Sequence, residues 1–291
     1  MVVMGENKNF SSNHLNQSEY EIPYSYDKIK WKLGETYRIR VGNIYDPSKF
    51  WIVHFENELS LFFKYMNSYY ETKKEEYRMR PASIKIKRYC AAFTDGAFYR
   101  GIIVDIPLFN KKEKQVVVFL FDFGFTNVVT IDNLYFLCEK MYSIPRYAIR
   151  ARLHGLEPFK TDTWTNKSAD TFKEMTQGKI LLCVLTEIDP VLRTVFIRVM
   201  DVTQFNKIVD IGQVLISEKL AKLTTSRKSK KHNKSRLVSK VRYPYLFPSF
   251  EALENGNMPS TVFINESLKQ CITSSILFKP YYNFNGVELR D

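Results

Sequence analysis

Two aromatic stretches decide how this chain is read: CAAFTDGAFYRGIIVDI, from Cys90 to Ile106, and VVVFLFDFGFTNVVTIDNLYFL, from Val116 to Leu137. In the first, Asp95 and Gly96 form a tight-turn pair between Phe93 on one side and Phe98 and Tyr99 on the other. In the second, an apolar strand breaks at Asp122, Phe123 and Gly124. Such a pattern predicts a small β-barrel that gathers aromatic faces at one end. Ring faces open to solvent attract a cation through their quadrupoles, by about 0.5 to 2 kcal/mol per contact.

Around these stretches the chain alternates between strand and helix patterns. From Tyr37 the β-branched and aromatic alternation predicts two strands turned at Asp46 and Pro47. Leu59, Phe62, Phe63, Met66 and Tyr70 recur at spacings of three and four, which predicts an amphipathic helix ending before Pro81 whose stripe is core. Strands resume near Ile84, with an exposed loop over 107–115. Ala169, Phe172 and Met175 predict a short helix, and 179–201 reads as a hairpin turned at Asp189 and Pro190. Leu215, Ile216, Leu220 and Leu223 mark a closing helix. The order of elements implies an α+β fold, mostly β.

The order of these parts resembles the extended Tudor domains. Their Tudor pattern is an aromatic, a D-G turn, an aromatic-Tyr-Arg triplet (here Phe98, Tyr99, Arg100) and an aromatic strand closing in D-Y-G-N. IPRYAIRARLHGLEP, from Ile144 to Pro158, is similar to the segment by which such domains re-enter a second lobe, and YRIRVGNIYDPSKFWIVHF, from Tyr37 to Phe55, to the strands that begin it. The resemblance covers about residues 33 to 223 and implies a Tudor β-barrel joined to a split, nuclease-like OB-fold lobe by connecting helices. Residues 1–30 lack periodicity and read as a disordered segment in which Glu19–Asp27 could dock as an extended strip; the implied organisation then runs through the first part of the OB-like lobe and a linker helix over 31–83 to the Tudor barrel over 84–140. The second part of the lobe follows over 141–223; composition then marks a basic tether over 224–242 and an aromatic tail over 243–291 that either packs back on the body or binds a partner, the second being the reading preferred.

The resemblance also implies a methylarginine cage of four aromatics and an Asn. Carried over by position, the rings fall on Phe93, Tyr99, Leu120 and Phe123, and the Asn on Phe125, with Asp122 shaping the adjoining loop. Leu120 and Phe125 depart from the pattern. Leu120 has no quadrupole, and Phe125 cannot accept a hydrogen bond from a guanidinium. An unpaired buried donor costs about 1 to 3 kcal/mol, so the expected cage is altered and incomplete. Phe98, Phe119 and Phe121 read as barrel core, and Arg100 as a rim residue. Implied partners are Arg/Gly-rich peptide tails of Piwi and Argonaute-class proteins, arginine-methylated or not, in piRNA-guided transposon silencing within cytoplasmic, perinuclear germ granules (nuage).

Composition bounds the rival readings. The 291 residues carry a net charge of +12, but nine Lys or Arg lie between Lys222 and Arg242 without one acid, and the rest of the chain carries only +3. Lys228, Lys230, Lys231 and Lys234 could hold single-stranded RNA phosphates or act as a nuclear localisation signal, so RNA binding by exposed rings and this run is the alternative function. The four cysteines are widely spaced, with no C-x-x-C pair, and read as reduced thiols without zinc or disulfides. No apolar run reaches 18 residues, so no membrane span is expected. The four histidines are isolated, no carboxylate set suits a metal, and no Gly-rich phosphate loop occurs, so neither enzyme, metal nor cofactor is expected.

Overall fold

The computed structural model describes residues 21–106, 114–204, 207–224 and 248–256. It shows an α+β, mostly β molecule in which a Tudor barrel interrupts an OB-like lobe.

The OB-like lobe begins with β1 (Thr36–Asp46) and β2 (Lys49–Val53). Asp46 makes the turn between them: its carboxylate accepts from Ser48 N at 2.6 Å and from Lys49 Nζ at 3.1 Å. After the Tudor insertion the lobe resumes with β8 (Ile149–Leu153), β10 (Ile180–Asp189) and β11 (Thr194–Gln204). β1 pairs with β2 and β10, β2 with β8, β8 in parallel with β11, and β11 with β10, so the sheet closes on itself. β12 (Lys207–Asp210) extends β11 at the margin. Alternation along each strand turns Ile39, Val41, Phe50, Ile52, Ile197 and their neighbours into one core. Helix α3 (Asn166–Thr176) seals it with Phe172, whose ring meets Phe50 edge-on at 4.9 Å. Thr165 caps α3 by accepting from Ser168 N. The expected closing helix is shorter than its apolar pattern: α4 spans Ile211–Ser217, and the chain then forms β13 (Ala221–Leu223), paired with β9 (Leu156–Pro158).

The Tudor part is a bent five-stranded sheet in the order β6-β5-β4-β3-β7. Its strands are β3 (Tyr89–Thr94), β4 (Ala97–Asp105), β5 (Gln115–Leu120), β6 (Phe125–Thr130) and β7 (Leu134–Phe136). Asp95 and Gly96 both take positive φ, +50° and +76°, the geometry a two-residue I′ hairpin demands. The interior is filled by Cys90, Ala92, Ile103, Val116, Val118, Leu120 and Leu134. Phe98, Phe119 and Phe121, expected inside the barrel, are buried on its other side. The two-residue strand repeat assigns the aliphatic set and the aromatic set to opposite faces, and the narrow interior takes the smaller set.

Long helix α2 (Glu56–Tyr77) covers that aromatic face with Leu59, Phe62, Met66 and Tyr70, the stripe expected from spacing. Tyr70 is fully buried; its hydroxyl donates to Phe136 O at 2.8 Å and accepts from Cys138 N at 2.9 Å, pinning the helix to β7.

Two terminal segments dock as well. Residues 21–29, expected as disordered or as a docked extended strip, dock: they place Ile22 in the core, bridge Tyr24 to Arg146 and form the single helical turn α1 (Ser25–Lys28). In the aromatic tail, α5 (Phe250–Glu254) lies on the body with Phe250 buried. No helix among the described residues is long and apolar enough to cross a membrane.

Candidate functional site

The chain between β5 and β6, Phe121-Asp122-Phe123-Gly124, is held by both lobes. Arg100 on β4 is fully buried, and its guanidinium makes two parallel bonds to Asp122, Nε to Oδ2 at 2.9 Å and Nη2 to Oδ1 at 2.7 Å. Its remaining donors reach the carbonyls of Met141, Ile144 and Pro145 at 2.6 to 2.8 Å. Phe62 and Phe121 cover it, with their ring centroids 4.5 and 5.2 Å from the guanidinium carbon. Arg100 is therefore no rim residue. A planar five-donor group satisfies, in one place, a carboxylate and three carbonyls that would otherwise be stranded where barrel and lobe meet. Asp122 also accepts from Tyr147 N at 3.1 Å, tying the loop to the chain that leads into β8.

From the OB-like side, Asn43 Nδ2 donates to Gly124 O at 2.9 Å. Gly124 has φ +81°, and a Cβ there would sit 2.3 Å from Trp51 Cγ, so only glycine lets the loop lie on the indole.

On this support stands a cluster of four rings. Tyr99 and Phe123 meet edge-on at 5.3 Å between centroids, and Phe125 lies 6.5 Å from Tyr99 and 6.4 Å from Phe123. The fourth ring is Phe63 of α2, 5.1 Å from Tyr99 and 5.6 Å from Phe123. All four are half-buried. Burial, and then the nearby Asp95 carboxylate, push the Tyr99 hydroxyl above its ordinary pKa, so it stays a neutral donor and acceptor at neutral pH.

Of the positions expected in the cage, the structure brings together Tyr99, Phe123 and Phe125, with Asp122 beneath them. It does not bring in Phe93 or Leu120. Phe93 pairs with Phe98 across the hairpin, so it points to the opposite face from Tyr99, which pairs with Ala92; its ring contact is Phe98 at 4.8 Å. Leu120 is fully buried in the barrel interior, against which Tyr99 and Phe125 pack. Spacing alone assigns Phe63 to the core stripe. Its helical neighbour one turn on, Asn67, carries the signal that spacing misses: an amide beside an apolar stripe needs partners. Asn67 clamps the backbone of Phe98, accepting from its N–H at 2.6 Å and donating to its carbonyl at 3.1 Å, which registers α2 so that Phe63 overhangs Tyr99.

The rings touch one another. At 5.1 to 6.5 Å between centroids and 50° to 76° between planes, they adjoin as tilted or edge-on neighbours, none of them stacked face to face. Among the described residues no group of His, Cys, Asp and Glu is arranged to hold a metal ion. Lys228, Lys230, Lys231 and Lys234, and most of the loop over 107–115, lie outside the described residues.

A family model described as the Tudor domain matches residues 32–155. That stretch of the chain is a Tudor domain. Among curated relatives, the chain is 26% identical to mouse RING finger protein 17 over 151 residues, covering 52% of this chain and 9% of that protein. It is 36% identical to Tudor domain-containing protein 7B of Danio rerio over 92 residues, covering 32% of this chain and 8% of the relative. The chain thus matches less than a tenth of the length of either relative. Among solved structures, it is similar to the extended Tudor domain TD3 from mouse TDRD1 in complex with a MILI peptide containing dimethylarginine, at TM-score 0.59 and 21% identity, covering 70% of this chain and all of that one. The human TDRD1 extended Tudor domain in complex with a symmetrically dimethylated peptide gives TM-score 0.60 at 18% identity, covering 72% of this chain and 98% of that one. An extended Tudor domain of Drosophila melanogaster Papi, in complex with a Piwi N-terminal peptide, gives 0.58 at 18% identity and covers 65% and 99%. The Tudor barrel and split OB-like lobe are therefore the extended Tudor fold.

Proposed function

We propose that this Tudor module is a non-catalytic adaptor that binds Arg/Gly-rich peptide tails of Piwi and Argonaute-class partners through the cluster of Phe63, Tyr99, Phe123 and Phe125. The observation that carries this reading is the cluster itself, solvent-accessible rings on a rigid, Arg100-braced loop at the junction of two lobes. Its altered composition sets its selectivity. With Phe125 where an amide would stand, the amide acceptor of the family pattern is replaced by a ring, and the Tyr99 hydroxyl remains as an acceptor beside the cluster. The rings attract the guanidinium charge whether or not it is methylated, and the amide that would read the modified group is absent at position 125. The module binds such tails with weak dependence on methylation state. Its place is in piRNA-mediated transposon silencing, within cytoplasmic perinuclear granules, a setting supported by the piRNA-pathway names of its structural neighbours.

Calorimetric titration of the full chain with one Arg/Gly peptide, unmodified and symmetrically dimethylated, tests this. The expected result is binding of both forms with less than about a tenfold difference, or 1.4 kcal/mol, and loss of both on Phe63→Ala or Tyr99→Ala. A methylated-form preference beyond tenfold would show that Phe125 rebuilds a selective cage. Absence of binding to either form would remove the peptide-adaptor reading.

A further inference from the structure

α5 packs on Trp51 and Arg150, behind the loop that carries Phe123. Arg150 of β8 grips it with nearly all its donors: Nε and Nη2 make a bidentate pair with Glu254 at 2.8 and 2.6 Å, and Nη1 donates to Glu251 at 2.6 Å and to Leu192 O at 2.9 Å. Trp51 meets the Phe250 ring edge-on at 5.2 Å and donates from Nε1 to Glu254 at 3.3 Å. The Arg150 guanidinium carbon lies 5.6 Å from the centroid of the Phe250 ring. Gly256 ends the segment at φ +65° against Val117 and Val104 of the Tudor barrel, so the segment reaches both lobes. Burial would lower the Arg150 pKa, yet the two carboxylates outweigh it and hold it above its ordinary value.

We propose that this Trp51–Arg150 face is a second peptide-docking site, specific for a helical turn with an aromatic residue followed by Glu at the next and fourth positions, and that α5 closes it in cis. A five-residue helix is far too short to persist alone, so α5 exists by virtue of the groove, as a bound peptide would. The groove is chemically matched to acid. Beside it a cavity is lined by Arg146, Arg150 and Arg193 with Tyr24 and Trp51, and Glu254 is the one carboxylate among its described lining residues. Arg146 Nε is buried there without a hydrogen-bond partner among the described residues, a donor that a longer acidic occupant would meet.

The tether decides who competes. Residues 225–247 join α5 covalently to the body, which presents it at an effective concentration on the order of millimolar. A second copy of this chain offers only the same segment, and at cellular concentrations it loses to the cis copy. A partner displaces α5 only by binding this face more tightly or through further contacts, such as those in the arginine-lined cavity. Because Trp51 also lies under Gly124, the exchange takes place on the back of the loop that carries Phe123.

A fluorescein-labelled peptide spanning residues 248–256, titrated against the full chain by anisotropy, tests the assignment. Two release variants leave the body untouched: Phe250→Ala, and Glu251→Lys with Glu254→Lys. Both are expected to bind the peptide at least about tenfold more tightly than the unaltered chain, to lose it on Arg150→Ala, and to keep it on Phe123→Ala. Equal binding by released and unaltered chains, no binding by any of them, or indifference to Arg150→Ala would each overturn the proposal. Because Phe123→Ala strikes only the ring cluster, failure here is distinguishable from failure of the Arg/Gly peptide reading.

Discussion

Replacing Arg100 with Met keeps much of the aliphatic stem and removes the guanidinium that joins β4, the 121–124 loop and the chain over 141–147. Asp122, whose side chain is 3% exposed, would keep only the Tyr147 N–H as a partner. An uncompensated buried charge of this kind costs about 3 to 5 kcal/mol. The carbonyls of Met141, Ile144 and Pro145 lose their donor too, at about 1 to 3 kcal/mol each before relaxation, so about 4 kcal/mol is a conservative total. That is a large part of the roughly 5 to 15 kcal/mol that holds a domain folded. With a urea slope of about 2 kcal/mol/M, the midpoint should fall by about 2 M. The double variant Arg100→Met with Asp122→Leu removes the charge as well as its partner, and should be less damaged than the two single changes added together. We expect a coupling of about 2 kcal/mol or more from urea unfolding of all four proteins followed by circular dichroism. A midpoint loss under about 0.5 M for Arg100→Met, or additive single changes, would refute the view that this pair holds the joint.

Gly124→Ala forces a Cβ to within 2.3 Å of Trp51 Cγ and imposes a left-handed backbone on alanine. Trp51 is almost fully buried and has nowhere to retreat, so overpacking and backbone strain together should cost about 3 kcal/mol, read as a lowered thermal midpoint; a change within about 0.5 kcal/mol would mean the loop does not rest on the indole. Asp201 provides a pH test. Burial raises its pKa, but Lys179 Nζ at 2.6 Å and the Thr203 hydroxyl and N–H outweigh that and hold it down at about 2. A carboxyl depressed in the folded state adds stability above its ordinary value near 3.8, and that stability is lost as pH falls toward 2. Allowing for screening of a pair whose lysine is 36% exposed, about 1 kcal/mol should disappear across that window. Asp201→Asn should be less stable at pH 7 and show a flatter fall in urea midpoint between pH 4 and 2; parallel curves for the two proteins would exclude the role.

What the sequence determines here is local. Asp95 and Gly96 specify a hairpin because few other pairs take two positive φ values cheaply, and alternation along β3 to β6 specifies two sets of side chains on two faces. The stripe Leu59, Phe62, Met66 and Tyr70 specifies a helix with one buried side. Only the tertiary structure decides which set goes inside. Cys90, Ala92 and the valines fit a narrow barrel, and the larger Phe98, Phe119 and Phe121 are left for α2 and the second lobe to cover. That choice takes Phe93 to the far side of its hairpin from Tyr99 and buries Leu120, two positions that alignment by motif places in the cage. Nor does the local pattern disclose partners far along the chain. Arg100 reads as a surface charge until the carbonyls of residues 141, 144 and 145 close around it. Asn43 finds Gly124 across 81 positions, and Arg150 finds Glu254 across 104. Polar groups taken out of water must find partners wherever the fold brings them, and periodicity encodes only which residues leave water, not whom they meet there.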